Sequence, residues 1–313
     1  MEATKKLNGK AVGKWLSNNA IIMMMLAVTL IVGIIHPNFF SGTNMINLFK
    51  NVSIRYIIAL GISGCLITTG NDLSAGRLAG FAACLACIFA QTEGASGKFY
   101  PNMPTLPTPV VFVLVIAICA IVGLCNGLVV RYLKVQPFIA TLGMMTARRG
   151  LALLYNNGRP IIDLSEEYTA IGGCMLFGEI PYPVVIFLIV IVVGVLFLRY
   201  SKFGRHVYAV GGNEQSGKVS GINVKRVKLI VYMIAGFVSA LSGIIISSRV
   251  MTGAPSAGEG YEMDAITACV IGGASLSGGE GSVVSTVIGA LIVGVLNNGL
   301  DLLKVSSYWQ QIV

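Results

Sequence analysis

Long apolar stretches separated by short polar ones occupy almost the whole of this chain. They fall at 20–35, 56–70, 78–91, 109–130, 137–155, 183–198, 229–248, 263–276 and 283–303. None alternates in the manner of a barrel strand, and backbone surrounded by lipid must satisfy its own hydrogen bonds. Each stretch therefore predicts a membrane helix. The fold class that follows is all-α: a polytopic membrane protein forming a single domain over 1–313, with about nine or ten transmembrane or broken helices. Several stretches are short of the roughly 20 apolar residues a crossing needs. Two pairs of them flank an interruption rich in glycine and polar residues. The first is Gly70-Asn71-Asp72-Leu73-Ser74-Ala75-Gly76-Arg77, between 56–70 and 78–91. The second is Ser277-Gly278-Gly279-Glu280-Gly281, between 263–276 and 283–303. Interrupted short segments in both halves point to broken helices beside a transport pathway.

The most informative polar stretch is Arg199 to Lys228, RYSKFGRHVYAVGGNEQSGKVSGINVKRVK, with seven Lys/Arg and one acid, Glu214. Short basic loops are retained on the cytoplasmic side. If the N-terminus is inside, six spans return the chain inside at residue 199. Lys5, Lys6, Lys10, Lys14, Arg77, Arg131 and Lys134 then share the side of the basic loop, while Lys50, Arg55, Lys98, Arg159 and Arg249 lie opposite. Parity and charge bias agree on a cytoplasmic N-terminus. No small-residue cleavage pattern follows the N-terminal lysines, so 20–35 reads as an uncleaved first span. A loop this long at the inner face of a many-span protein reads as a docking surface for a cytoplasmic partner. A weak repeat links the two halves: Leu73-Ser74-Ala75-Gly76-Arg77 echoes Leu276-Ser277-Gly278-Gly279-Glu280, and Val122–Leu128 echoes Val293–Leu300.

Composition sharpens this picture. Hydrophobic residues make up 55% and charged residues 11%, with a mean hydropathy of +0.80. A soluble domain carries roughly 25% charged residues, so a water-facing globular protein is excluded and the lipid bilayer is the surroundings. The net charge of +9 sits in span-end loops, not in a basic stripe interleaved with aromatics, which argues against nucleic acid. Six of seven cysteines (Cys65, Cys84, Cys87, Cys119, Cys125, Cys269) lie in apolar stretches and read as small packing residues. Cys84-x-x-Cys87 has redox-like spacing but no neighbouring charge to activate a thiolate. His36 and His206 are far apart, so no metal site is expected. The 38 glycines suit close helix contact, as in Gly76-x-x-x-Gly80 and Gly123-x-x-x-Gly127.

Two nucleotide-like motifs fail on inspection. Gly212 to Val219 nearly matches a P-loop, but Val219 replaces the hydroxyl residue that holds magnesium. Leu276-Ser277-Gly278-Gly279-Glu280 nearly matches the signature loop of ABC ATPases, yet it lies in an apolar context. Polar residues within spans carry more weight, because they face a cavity or each other. Asn126, Asn297 and Asn298 either line a hydrophilic route or bond neighbouring helices. Asp72 and Arg77 either pair across the first interruption or close its turn. Glu262 and Asp264 suit a helix N-terminus. Arg148 and Arg149 either reach toward the outer edge or guard the pathway. No acid relay and no nucleophile–base set is visible, which argues against a proton-coupled carrier and against an enzyme.

The residues resemble a family, the membrane permease subunits of bacterial ABC sugar importers in the ribose/xylose/arabinose/galactose branch. The resemblance covers essentially the whole chain. It rests on GNDLSAGR (70–77), KVQPFIATLGMM (134–145), FGRHVYAVGGNEQSGKVSGINV (203–224), YEMDAITACVIGGASLSGG (261–279) and SYWQ (307–310). GNDLSAGR and YEMDAITACVIGG look closest to galactose/methyl-galactoside permeases. The resemblance implies a type II ABC importer-like permease fold in the bacterial inner membrane. It also implies a homodimer, a cytoplasmic ATPase subunit that holds ATP and magnesium, and a periplasmic sugar-binding protein. This chain would then be a transport subunit without a cofactor of its own, passing a hexose such as galactose, or another monosaccharide. The family's short coupling helix falls on Gly211, Gly212, Asn213, Glu214, Gln215, Ser216, Gly217 and Lys218. The route would run past Asn126, Asn297, Asn298, Asp72 and Arg77. The resemblance implies a final apolar span and a basic tail past SYWQ, whereas this sequence stops at Val313, so that span is either cut off from the sequence or missing from the protein. The readings from other classes are a secondary carrier or channel for small polar solutes, and a membrane scaffold.

Overall fold

The computed structural model describes residues 19–95 and 97–312; the four N-terminal lysines lie outside the described residues. Each predicted apolar stretch is built around a helix. In chain order these are α1 (Ala20–Ile35), α2 (Gly42–Ile67), α3 (Ala75–Ala90), α4 (Thr108–Tyr132) and α5 (Pro137–Tyr155). A short helix α6 (Glu166–Gly173) and a small hairpin, β1 (Met175–Leu176) with β2 (Ile180–Pro181), precede α7 (Tyr182–Val195), which runs on as a π-turn over Leu196–Tyr200. The basic loop folds into two helices, α8 (Lys202–Gly212) and α9 (Glu214–Val219). Then come α10 (Val224–Val250), α11 (Tyr261–Ile271), α12 (Val283–Leu302) and α13 (Ser307–Ile312). Five of these, α2, α4, α7 with its extension, α10 and α12, are long and apolar enough to cross a membrane. Starts follow local chemistry: Ser41, Asn223 and Ser282 each accept a backbone N–H from the first turn of α2, α10 and α12.

The first half of α2, Gly42 to Arg55, was not legible as a span because it is polar. Three of its polar residues find partners in other helices instead. Asn44 and Asn298 exchange amide hydrogen bonds at 2.9 and 3.0 Å, Arg249 donates to Asn51 at 2.7 Å, and Arg55 pairs with Asp264 at 3.4 Å. These contacts gather the start of α2 and the ends of α10 and α12 at one end of the bundle. At the other end the carbonyl of Ile67 accepts from Gly279 N at 2.9 Å, and Tyr208 Oη donates to Gly281 O at 2.8 Å. Arg131 lies there with the basic loop, opposite Arg55 and Arg249, as the charge distribution predicts.

The centre of the bundle is α10, which packs on α2, α3 and α4. Backbones meet where α4 and α10 cross, since a Cβ on Gly123 would stand 2.5 Å from the Tyr232 carbonyl. The outward side chains of α7, Leu188, Ile189, Val192 and Val193, are 53–58% exposed, which suits a lipid-facing helix.

Two expectations are corrected here and one is extended. The second interruption lies between α11 and α12, over 272–282, as the sequence predicts around 277–281, and the chain is also unwound over 251–260, before α11. Gly258 and Gly260 have φ of +74° and +83°, and this run of turns lies against α3, with the Ala257 carbonyl 2.4 Å from where a Gly80 Cβ would be. Gly76-x-x-x-Gly80 thus receives the backbone of a turn, with Gly76 also facing Glu262 at the start of α11. Arg77 does not pair with Asp72; it pairs with Glu259 and lies within the bundle, not at the loop side. The repeat is not structural at its first motif: Leu73 is 4% exposed and Leu276 is 63% exposed.

Candidate functional site

At the end of the bundle that carries the basic loop, α8 and α9 form a short platform. Ser201 caps α8 by accepting from Gly204 N, and Asn213 caps α9 by accepting from Ser216 N at 2.9 Å. The predicted coupling residues therefore occupy two helices, not one: Gly211 and Gly212 end α8, Asn213 is the junction, and Glu214 to Lys218 lie on α9. Glu214 is a hub. Its carboxylate accepts from Lys228 at 2.9 Å and pairs with Lys218 at 3.1 Å and Arg131 at 3.3 Å. The Lys228 hydrogen bond and the other cations outweigh partial burial and hold its carboxyl at about 2, so it stays ionised throughout the physiological range.

The faces of the platform differ. Gly212, Asn213, Gln215, Ser216 and Lys218 are exposed, as is Val219 at 83%, an apolar tip that the sequence reading passed over. Gly211 and Gly217 face inward. A Cβ on Gly211 would stand 1.8 Å from the Ile67 carbonyl and 2.8 Å from Gly279 N, whereas one on Gly212 would meet nothing within 4 Å. Gly211 therefore seats the platform on the ends of both interrupted segments at once: Ile67 precedes the first break, and Gly279 follows α11.

Deeper in the bundle, the first interruption is held by a buried polar cluster. Asn126 Nδ2 donates to Asp72 Oδ1 at 3.1 Å and to Ser74 Oγ at 2.8 Å, and Ser74 N donates to Asp72 Oδ1 at 3.0 Å. Arg148 completes it, donating to Ser74 Oγ, to the Ser74 carbonyl at 3.1 Å and to the Val122 carbonyl at 3.1 Å. Arg148 is 1% exposed and reaches neither outer edge nor solvent. Its neighbour Arg149 points the other way and is exposed. Sequence reasoning treated this pair as one feature, and only its helix neighbours separate the two roles.

Asn297 and Asn298 lie elsewhere. They line a cleft of about 240 Å³ at the end of the bundle opposite the basic loop, with Asn51, Arg55, Tyr56 and Asp301. They are not brought together with Asn126, Asp72 or Arg77. Glu262 and Asp264 do fall in the first turn of α11, where acids complement the helix dipole. Cys84 and Cys87 are buried free thiols, in keeping with packing. Among the described residues no cluster of His, Cys, Asp and Glu is arranged to hold a metal ion.

Apolar helices too long for a soluble core, two interrupted crossings and a basic platform at one end define a multi-pass, all-helical membrane transport component. The chain belongs to the family described as "Branched-chain amino acid transport system / permease component", which matches residues 44–313. The ribose import permease of Haemophilus influenzae is 39% identical over 305 residues, covering 96% of this chain and 90% of that protein. The galactose/methyl galactoside import permease of Salmonella typhimurium is 37% identical over 313 residues, covering 98% and 93%. The ribose import permease of Bacillus subtilis is 40% identical over 294 residues, covering 92% and 86%. The relatives are permease subunits, and this chain is likewise a transport component and not an enzyme. No solved structure matches the chain.

Proposed function

We propose that the chain is the membrane permease of an ATP-driven monosaccharide importer in the bacterial inner membrane. It works as a homodimer with a cytoplasmic ATPase that carries ATP and magnesium, and with a periplasmic sugar-binding protein. The observation that carries the mechanism is the platform α8–α9, joined through Gly211 to the ends of both interrupted crossings. A partner that grips the exposed residues Gly212, Asn213, Gln215, Ser216, Lys218 and Val219 moves both breaks together, which is what alternating access requires. The sugar class rests on the relatives. Ribose permeases match as closely as galactose ones, so the galactose preference expected from GNDLSAGR narrows only to a monosaccharide, with D-galactose and D-ribose as the first substrates to try. Arg77 keeps its place on the route. Asp72 and Asn126 are assigned to holding the first interruption, and Asn297 and Asn298 to the outer end of α2.

The deciding experiment is uptake into vesicles containing permease, ATPase and binding protein, with D-galactose, D-ribose and L-leucine offered separately. Sugar uptake that needs ATP is the expected result. Uptake of leucine instead would make this an amino-acid permease in keeping with its family's description. Sugar uptake without the ATPase would favour a secondary carrier. The orientation is checked separately: in a background with Cys125→Ser and Cys174→Ser, Ser216→Cys and Ser165→Cys should react with an impermeant thiol reagent from opposite faces. Reaction from the same face would refute a cytoplasmic platform.

A further inference from the structure

The flank formed by α3, α5 and the unwound segment 251–260 carries charges at a depth where lipid does not tolerate them. Arg77 lies thirteen residues before the outer end of α3, about 20 Å along the helix axis, in a hydrocarbon layer only about 30 Å thick. Its guanidinium pairs with Glu259, whose side chain is 54% exposed. Arg77 itself is 7% exposed, and its Nη1 is buried without a hydrogen-bond partner. Exposed Arg149 acts electrostatically on the same Glu259 carboxylate. Beside the pair lies a cavity of about 190 Å³ lined by Arg77, Arg149, Leu153, Gly158, Pro255 and Ser256. Gly158 belongs to the loop after α5, so the cavity leads from the outer end down to Arg77.

A half-exposed carboxylate and a second, exposed guanidinium facing acyl chains each cost several kcal/mol. This flank therefore faces water or solute. Two guanidinium groups lining a concave surface, with one carboxylate paired to the first, offer paired donors beside an acceptor, which is the chemistry that holds neighbouring hydroxyls of a neutral sugar. The outer-end cleft at Asn297 also has polar walls, but it opens at the bundle end, where water needs no explanation.

Resting on the importer reading, we propose that Arg77, Arg149 and Glu259 form the point on the translocation route where the hydroxyls of the passing monosaccharide are held. The glycine contacts at Gly76 and Gly80 set the trio. They let the 255–262 backbone lie against α3, which brings Glu259 to Arg77.

The test uses the reconstituted permease, ATPase and binding protein with D-galactose and D-ribose. Arg149→Gln and Glu259→Gln should each lower uptake about tenfold or more, the loss expected of one charged hydrogen bond, with insertion and ATPase retention unchanged. Exchange of the pair, Arg77→Glu with Glu259→Arg, should restore insertion but not uptake, because a merely structural ion pair works in either sense. In the background lacking reactive thiols, Ser256→Cys should react with an impermeant thiol reagent from outside, and sugar should slow that reaction. Unchanged uptake in both single variants, restored uptake in the exchange, or an unreactive thiol would overturn the assignment. So would a loss confined to Asn297→Leu, which would move the route to the outer-end cleft. Wild-type protein that takes up no sugar with ATP would sink the importer reading itself, whatever the thiol does.

Discussion

Replacing Arg148 by Met is expected to destabilise the protein by about 3–5 kcal/mol, the typical cost of leaving a buried charge without its partner. Arg148 is the charge facing Asp72 in a cluster with no solvent, and three hydrogen bonds to Ser74 and Val122 depend on it. Without it, Asp72 keeps Asn126 and Ser74 as donors but loses its electrostatic attraction to the guanidinium, and the hydrogen bonds from α5 to Ser74 are lost. Thermal unfolding of the purified protein in detergent measures the loss. Adding Asp72→Asn to Arg148→Met should recover part of it, because removing both charges restores neutrality; partners in one network are not additive. A single variant as stable as the parent would mean that the cluster is hydrated and that its charges are not truly buried.

Gly211→Val is expected to abolish ATP-driven uptake while the permease still inserts. The added carbon falls 1.8 Å from a backbone carbonyl, not against a flexible side chain, so α8 must move away from Ile67 and Gly279. Overpacking of this kind costs about 1–3 kcal/mol, occasionally more, and here it falls on the joint between platform and bundle. Gly212→Val is the control. It adds the same side chain one residue later, into open space on the exposed face, and should leave the joint with Ile67 and Gly279 unstrained, so its thermal stability in detergent should stay at the parental level while that of Gly211→Val falls. Parental uptake by Gly211→Val would mean that the platform is not rigidly coupled to the two breaks.

The two adjacent pairs, Arg148/Arg149 and Gly211/Gly212, show where sequence reading runs out. Each pair has identical residue types side by side, so no composition, hydropathy or motif argument can tell the members apart. A helix turns by about 100° per residue, and that rotation sends one member into the bundle and its neighbour outward. The same limit applies to Asn126, which was legible as a costly polar residue within a span but not as the donor to Asp72. The missed half of α2 has a related cause: Asn44, Asn51 and Arg55 read as loop residues until their partners in α10, α11 and α12 are known. The unwound segment 251–260 lies between two predicted apolar stretches, and nothing local says that it lies along α3.

What the sequence determined by itself was the membrane class of the protein, the positions of its apolar helices and the place of the basic loop among them. Those follow from free energies that add up residue by residue along the chain, namely transfer of apolar side chains into lipid and the retention of positive charge on one side. The tertiary structure alone decided which polar groups meet. Arg77 finds Glu259 182 residues away and Arg148 finds Ser74 74 residues away. Such partners are set by the depth and angle at which distant helices cross, and burial in a low-dielectric interior makes each choice costly to leave unmade.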